Sequence, residues 1–201
     1  MNKIKIRILQ TKISYIQLRK HLSILFTIFL LFKMFCKTIV YYISIRLNRR
    51  KDNELVSNLM PFIFLYNDLK RYTRKDLGIK IGGNILTQCS VLDVSLTIPK
   101  LGSKAILTDF ISLLKQSKYF KYSDYKIVKE EKYEVKIVVT KCIYCELLRQ
   151  FNISELAPYL CKSDEIFLKN YHPKIRFILK SSIAKGDKYC DETYQWINSK
   201  I

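Results

Sequence analysis

The chain has 201 residues, 49% of them hydrophobic, and it carries a formal net charge of +19. This length suggests one domain with room for an appendage at one end, and five Gly and four Pro are too few for a disordered or low-complexity protein. Six unevenly spaced cysteines, with no small-residue cleavage site near the N-terminus, favour reduced thiols in the cytoplasm over a secreted disulfide framework.

The large positive charge favours an anionic partner. Lys and Arg are spread along the whole chain rather than gathered in one tail, and no nucleic-acid recognition motif accompanies them, so nucleic-acid binding is not expected. A small-molecule substrate and an anionic membrane surface remain the candidate partners. The sequence leaves the oligomeric state open.

Residues 1–51 form a basic N-terminal segment that contains a long apolar stretch at 22–45. Lys33 and Lys37 interrupt this stretch near its middle, about one helical turn apart. Each central Lys costs about 2.5–3.5 kcal/mol on a membrane-insertion scale, and the two together nearly cancel the roughly 4–8 kcal/mol gained from the apolar side chains. We therefore expect a hydrophobic helix that crosses a bilayer marginally, lies in its interface or packs against the protein. Basic residues flank both ends of the stretch, so the charge distribution does not distinguish between these three placements of the helix.

A charged break at 46–53 separates this segment from a second predicted domain at 52–201. The apolar pattern at 54–69 indicates a helix that is interrupted by Pro61, because proline removes a backbone hydrogen bond. The first domain is therefore a candidate membrane anchor, and the second is expected to carry the activity.

Two further local signals follow in the second domain. Gly82 and Gly83 predict a turn, and no phosphate-binding glycine motif surrounds them. Ser103 is placed to cap a helix over 104–116, where apolar residues recur at helical spacing.

Beyond Phe120 the apolar pattern changes from helical to alternating. The pattern predicts a β-hairpin with strands at 125–129 and 134–141. Two short helices at 146–150 and 154–160 follow, and then two more strands at 174–182 and 189–196. A turn at 184–187 joins the last two strands. These elements indicate an α+β fold, with a mostly antiparallel sheet and packed helices, preceded by an N-terminal hydrophobic helix.

Four of the six cysteines lie in the last third of the chain, together with several carboxylates. Cys142-x-x-Cys145 is half of a zinc ribbon, and Cys161 and Cys190 would complete a four-thiolate site, so zinc or another divalent metal stays an open alternative. If the first pair opens a helix, the helix N-terminus is expected to lower the pKa values of both thiols. With two histidines in the chain, a His-rich catalytic zinc site is excluded.

The order of motifs in this region is distinctive. A cysteine follows a strand, a helical pair ends in L-x-x-x-x-C-x-x-D, and after a further strand comes the turn [ST]-I-A-x-G-D-x-x-C-D. In this chain the elements are Cys142, Cys161 with Asp164, and residues 182–191. With this order and spacing, the chain resembles the 2-aminothiazoline-4-carboxylate hydrolase family over about residues 134–196.

The resemblance implies a hydrolase that opens a cyclic isothiourea, aminothiazoline carboxylate, to N-carbamoyl-cysteine, and it implies no cofactor. A thiolate or a carboxylate-bound water would attack the amidine-like carbon. The candidate catalytic residues are Cys190, Cys161, Asp164 and Asp191. The candidate substrate-binding residues are Lys180 and Arg176, for the substrate carboxylate, and the turn residues Gly186 and Asp187.

Two alternatives remain beside the enzyme. A non-catalytic domain could use its cysteines to hold a small molecule or zinc, and a membrane-attached accessory protein could use its basic face to meet anionic lipid. The chain also departs from the usual family pattern at Glu192 and Thr193, where Phe and a basic residue are common, and at Lys180, where Arg is common.

Overall fold

The computed structural model describes residues 3–47, 54–102, 104–117 and 120–197. The chain divides into two compact units, one ending at Leu86 and the other beginning at Thr87. The first unit is helical and the second combines helices with a sheet, so the predicted α+β class with an N-terminal hydrophobic helix is confirmed. The separate division into 1–51 and 52–201 stays a prediction, since most of its junction lies outside the described residues.

The first unit contains the helices α1 (Lys3–Arg19), α2 (Ile24–Leu47), α3 (Glu54–Tyr72) and the first part of α4 (Lys75–Thr97). The predicted hydrophobic helix is α2. The predicted interruption at Pro61 is wrong, because α3 continues through this residue. Burial of the apolar face of α3 stabilises the helix enough to offset the hydrogen bond that a proline removes.

The predicted turn at Gly82 and Gly83 is also wrong, because both residues lie inside α4. A Cβ atom on Gly82 would lie only 2.4 and 2.6 Å from the ring carbons Cδ2 and Cε2 of Tyr66 on α3. Glycine is therefore needed here for the close approach of a large aromatic ring to a helix backbone. Glycine occurs both in turns and where a side chain packs closely on a helix backbone, and the local sequence does not distinguish these two roles.

The second unit begins with the end of α4. The elements that follow are α5 (Leu107–Gln116), β1 (Ser123–Glu130), β2 (Glu134–Cys142), α6 (Ile143–Gln150), α7 (Ala157–Tyr171), β3 (Ile175–Ser181) and β4 (Cys190–Trp196). The strands form one antiparallel sheet in the order β1-β2-β4-β3. The predicted hairpin, the two later strands and the helix after Cys142 are confirmed.

Several helix boundaries differ from the prediction, and α6 begins at Ile143 rather than at 146. The helix expected to end at 160 begins as a 3₁₀ turn, Ser154–Leu156, and continues as α7 to Tyr171. Helix α5 begins at Leu107 rather than at 104, and the backbone N–H of Ile106 donates to Asp109 Oδ2 at 3.0 Å at its start. The predicted cap, Ser103, lies outside the described residues.

One face of the sheet packs on helices and the other does not share that core. Alternate strand residues point to opposite faces, and the buried set takes every second position of β2 and β4. These residues are Val135, Ile137 and Val139 on β2 and Cys190, Tyr194 and Trp196 on β4, which pack with α5 and α7. The face that carries Cys190 is therefore the face that the helices cover.

Candidate active site

The fold brings together the four cysteines that the sequence singled out. Cys142 ends β2, Cys145 lies in the first turn of α6, Cys161 lies on α7 and Cys190 begins β4. They are close enough that the charges of the other three act on Cys145. All are free thiols. We call these four residues the thiol cluster.

Cys142 is the acidic member of the thiol cluster. It occupies the N-cap position of α6. Its pKa is lowered to about 7, first because the Cys145 thiol donates a hydrogen bond to it, and also because the backbone N–H groups of Cys145 and Tyr144 lie near its sulfur without forming a cap hydrogen bond, while burial works in the opposite direction. The pKa of Cys145 is raised by the same hydrogen bond and by burial. The expectation that both thiols would be acidic is therefore wrong for Cys145, which acts as the proton donor.

Cys161 faces the turn that precedes β4. Its Sγ lies 3.2 Å from Ser182 Oγ, and Ser182 is 1% exposed. Burial raises the pKa of Cys161 to about 12, although the hydrogen bond with Ser182 lowers it in part. Cys161 is consequently a neutral thiol at physiological pH.

The turn between β3 and β4 holds Cys190 in place. The backbone N–H of Ile183 donates to Cys190 Sγ at 3.3 Å, and the N–H of Ser182 donates to Asp187 Oδ2 at 2.7 Å. Gly186 has a φ of 100°, a left-handed conformation that glycine adopts without strain. Burial raises the pKa of Cys190, and the Ile183 hydrogen bond lowers it in part. Gly186 and Asp187 thus shape the turn around the cluster.

Two neighbouring carboxylates of β4 point to opposite faces of the sheet. Asp191 forms an ion pair with Lys136 at 3.1 Å, and among the described residues its buried Oδ1 has no hydrogen-bond partner. Glu192 shares its face with Cys190 and accepts a hydrogen bond from the Tyr194 hydroxyl at 2.8 Å. Desolvation raises the pKa of Glu192 to about 7, the Tyr194 hydrogen bond lowers it in part, and the charge of Cys142 raises it further.

These thiols and the carboxylate of Glu192 lie in a segment with a recognisable sequence pattern. The profile of the L-2-amino-thiazoline-4-carboxylic acid hydrolase family matches residues 54–194, which is more than half of the chain. The chain belongs to this family. The match confirms the resemblance seen at 134–196 and extends it upstream, and membership indicates a hydrolase-like function. No curated protein matches the sequence.

In this member of the aminothiazoline carboxylate hydrolase family, the sheet separates the predicted site residues into two groups. Cys161 and Cys190 meet at the turn, and the charge of Asp164 on α7 acts on Cys161. The other group lies on the opposite face. It comprises Asp191, Arg176, which is paired in register with Gln195, and Lys180, whose charge acts on Glu134.

Sequence reasoning missed Glu192 and Ser182 and did not single out Cys142 as a nucleophile. Glu192 was noted only as a departure from the family pattern. Its position two residues after Cys190 on a strand was the available signal, because such residues share a face. The contact between Ser182 and Cys161 joins residues on different elements, so no local sequence pattern predicts it.

A metal site was the open alternative. Within the described ranges of the chain, no group of three or more His, Cys, Asp or Glu side chains is arranged so that it could hold a metal ion. Zinc binding by Cys142, Cys145, Cys161 and Cys190 is still a prediction, and metal analysis of the purified protein tests it directly.

Proposed function

We propose that this protein is a thiol hydrolase of cyclic isothioureas of the aminothiazoline carboxylate type. Cys142 is the attacking thiolate and Glu192 exchanges protons with water and with the leaving group. The observation that carries the proposal is the position of Cys142 at the N-cap of α6, beside the Cys145 thiol and the first N–H groups of the helix, which together lower the pKa of Cys142. The pKa of Glu192 near 7 supports its role, because a general acid or base works best when its pKa is close to the working pH.

The proposed reaction has two steps that add one water in total. The Cys142 thiolate adds to the carbon that bears two nitrogens and the ring sulfur, and the bond from that carbon to the ring sulfur breaks. The sulfur leaves as a thiolate and takes a proton. Water, deprotonated by Glu192, then attacks the enzyme-bound isothiourea, and Cys142 leaves as a thiolate while the carbamoyl product forms. The steps use no metal or organic cofactor.

The thiols first considered as nucleophiles fit other roles better. Cys161 has a pKa of about 12 and Cys190 a raised pKa, so neither supplies much thiolate near neutral pH. Cys145 is suited to hold and return the proton that stabilises the Cys142 thiolate. Asp164 remains a candidate anchor for a cationic amidine, since it lies within electrostatic range of Cys161.

The test is ring opening of aminothiazoline carboxylate by the purified protein, followed as release of a thiol-bearing product, with and without a chelator. We expect turnover that is indifferent to the chelator, is abolished in Cys142→Ser and survives in Cys89→Ser, which removes a thiol outside the cluster. Full turnover in Cys142→Ser would overturn the assignment of the nucleophile. No turnover in any form, with zinc bound in stoichiometric amount, would favour the zinc-holding domain instead.

The carboxylate of the substrate gives a second check on the location of the site. Arg176 and Lys180 were the predicted anchors, and they lie on the sheet face opposite to Cys190. If the reaction takes place at the thiol cluster, the double variant Arg176→Ala, Lys180→Ala leaves KM unchanged. A large rise in KM would move the substrate to the face that carries Asp191 and Lys136.

We also propose that the enzyme works in the cytoplasm and attaches to membranes through residues 22–45. Within the part of the chain that the structure describes, one helix, Ile24–Arg46, is long and apolar enough to cross a membrane by length and composition. Its mean hydropathy is 1.9, and only 11% of its most apolar window is buried against the protein. Flotation of the protein with lipid vesicles tests the attachment.

A further inference from the structure

Helix α2 presents a continuous apolar stripe away from the rest of its unit. The stripe is formed by side chains three or four residues apart, namely Leu25, Ile28, Phe32, Phe35, Ile39 and Ile43. At 3.6 residues per turn they fall within about 80° of the helix circumference. Their exposed fractions run from 41% at Ile39 to 78% at Leu25. Soluble monomers seldom leave an apolar surface of this extent uncovered.

The side of α2 opposite the stripe carries both lysines of the helix beside the fully buried Leu30, and it is fixed to α3. Lys37 Nζ contacts both carboxylate oxygens of Asp68, at 2.9 and 2.8 Å, and Asp68 is 3% exposed. Lys33 Nζ lies 3.4 Å from Asp68 Oδ1 and 3.0 Å from the hydroxyl of Tyr72. The two lysines that interrupt the apolar sequence therefore point inward, roughly 120–160° from the middle of the stripe.

Helices α2 and α3 are antiparallel neighbours over much of their length. The Tyr42 hydroxyl donates to the Ser57 carbonyl oxygen at 2.9 Å near one end, and Lys37 meets Asp68 nearer the other. The exposed positions of α3 are polar, charged or amphipathic: Glu54, Asn58, Asn67, Lys70, Arg71 and Tyr72. If α2 crossed a bilayer, Lys70 and Arg71 would lie at the depth of Asp68, near the middle of the hydrocarbon. Charged side chains are rare there unless they face a protein or aqueous interior.

We propose that α2 lies in the plane of an anionic bilayer surface, with its apolar stripe in the acyl boundary and Asp68 holding the two lysines on the protein side. This inference rests on the proposed membrane attachment and specifies its geometry. The net charge of +19 and the basic residues at the ends of α2, Arg19 and Lys20 before it and Arg46 within its last turn, match an anionic lipid surface. The exposed apolar side chains of α2, with both lysines held behind them by Asp68, fit an interface, whereas the exposed Lys70 and Arg71 of the adjoining α3 do not fit the hydrocarbon interior.

Binding is tested by flotation of the full-length protein with vesicles of phosphatidylcholine, alone or mixed with phosphatidylserine. We expect flotation with the mixed vesicles that weakens as salt is raised. Phe32→Ser and Phe35→Ser should each weaken binding by about tenfold or more, because each removes an exposed aromatic ring that would enter the acyl boundary. Val128→Ser, which changes a side chain 57% exposed on β1 outside the stripe, should leave binding unchanged.

The geometry is tested with protease-cleavable tags at both ends of the chain, in the membranes of sealed cells and in inside-out vesicles. An in-plane α2 leaves both tags on the cytoplasmic side. Flotation of the wild type with one tag protected on the far side would overturn the in-plane geometry while keeping the attachment. Absence of flotation, with concentration-dependent self-association lost in Phe32→Ser, would overturn both and assign the stripe to a second copy of the chain.

Discussion

Selective alkylation of Cys142 is the most direct consequence of the site geometry. At pH 7 a thiol with a pKa of about 7 is roughly half thiolate, whereas Cys161, with a pKa of about 12, is thiolate in about one molecule in 10⁵. The more basic thiolate is intrinsically about 100–300 times more nucleophilic over five pKa units. The net preference for Cys142 is therefore about 10²–10³-fold.

The assay is iodoacetamide labelling from pH 5 to pH 9, with the modified peptides measured by mass spectrometry. Labelling of Cys142 should rise with pH through about 7 and then level off. Cys145→Ala removes the donated hydrogen bond and should move this midpoint upward, whereas Cys145→Ser keeps a donor and should move it less. Equal labelling rates at Cys142 and Cys161 at pH 7, or a Cys142 midpoint that is unaffected by Cys145→Ala, would refute the reasoning.

Three further changes test other parts of the structure. Glu192→Gln should lower kcat by about 10²–10⁴-fold. It should also remove a pH dependence of stability, because the raised pKa of Glu192 means that the folded state holds a proton which the unfolded state releases. The wild-type free energy of unfolding should therefore fall by about 2–3 kcal/mol from pH 4.5 to pH 7. Denaturant titrations that show the same dependence of this free energy on pH in both proteins would contradict the prediction. Asp68→Asn should cost about 1–3 kcal/mol of stability in urea unfolding, because it leaves Lys37 without its partner at a half-exposed site; an unchanged midpoint would show that the pair is dispensable. Gly82→Ala should destabilise by about 1–2 kcal/mol, since the clash with the Tyr66 ring exceeds the gain in helix propensity, and a rise in Tm would contradict the close packing.

Much of the second unit was predictable because its strands alternate and its turns carry their own signals. The hairpin of β1 and β2 and the strands on either side of Gly186 follow from residues within a few positions of each other. The two errors in the helical region have a common cause. Pro61 and Gly82 are local breakers of regular structure, and packing between neighbouring helices outweighs them.

The sequence predicted most of the thiols and carboxylates that form the candidate site, but not which of them share a face of the sheet. Cys190 and Asp191 are neighbours on one strand, so only one of them can face a pocket, and the sheet puts Cys190 on the helix-covered side. Which thiol would be acidic depended on a hydrogen bond between Cys142 and Cys145 and on the burial of Cys161. Hydrogen-bond direction and burial are set by neighbours from other elements, and periodicity does not report them.

The sequence by itself determined the family, the α+β class, the apolar N-terminal helix and the presence of a thiol-rich last third, because each is recorded in the order and spacing of residues along the chain. Tertiary structure alone decided that Cys142 is the ionisable thiol, that Glu192 joins the thiol cluster, and that Lys33 and Lys37 turn inward to Asp68. The physical reason is the same in all three cases. Protonation and charge depend on solvent exclusion and on partners brought together by folding, and these are properties of positions in space.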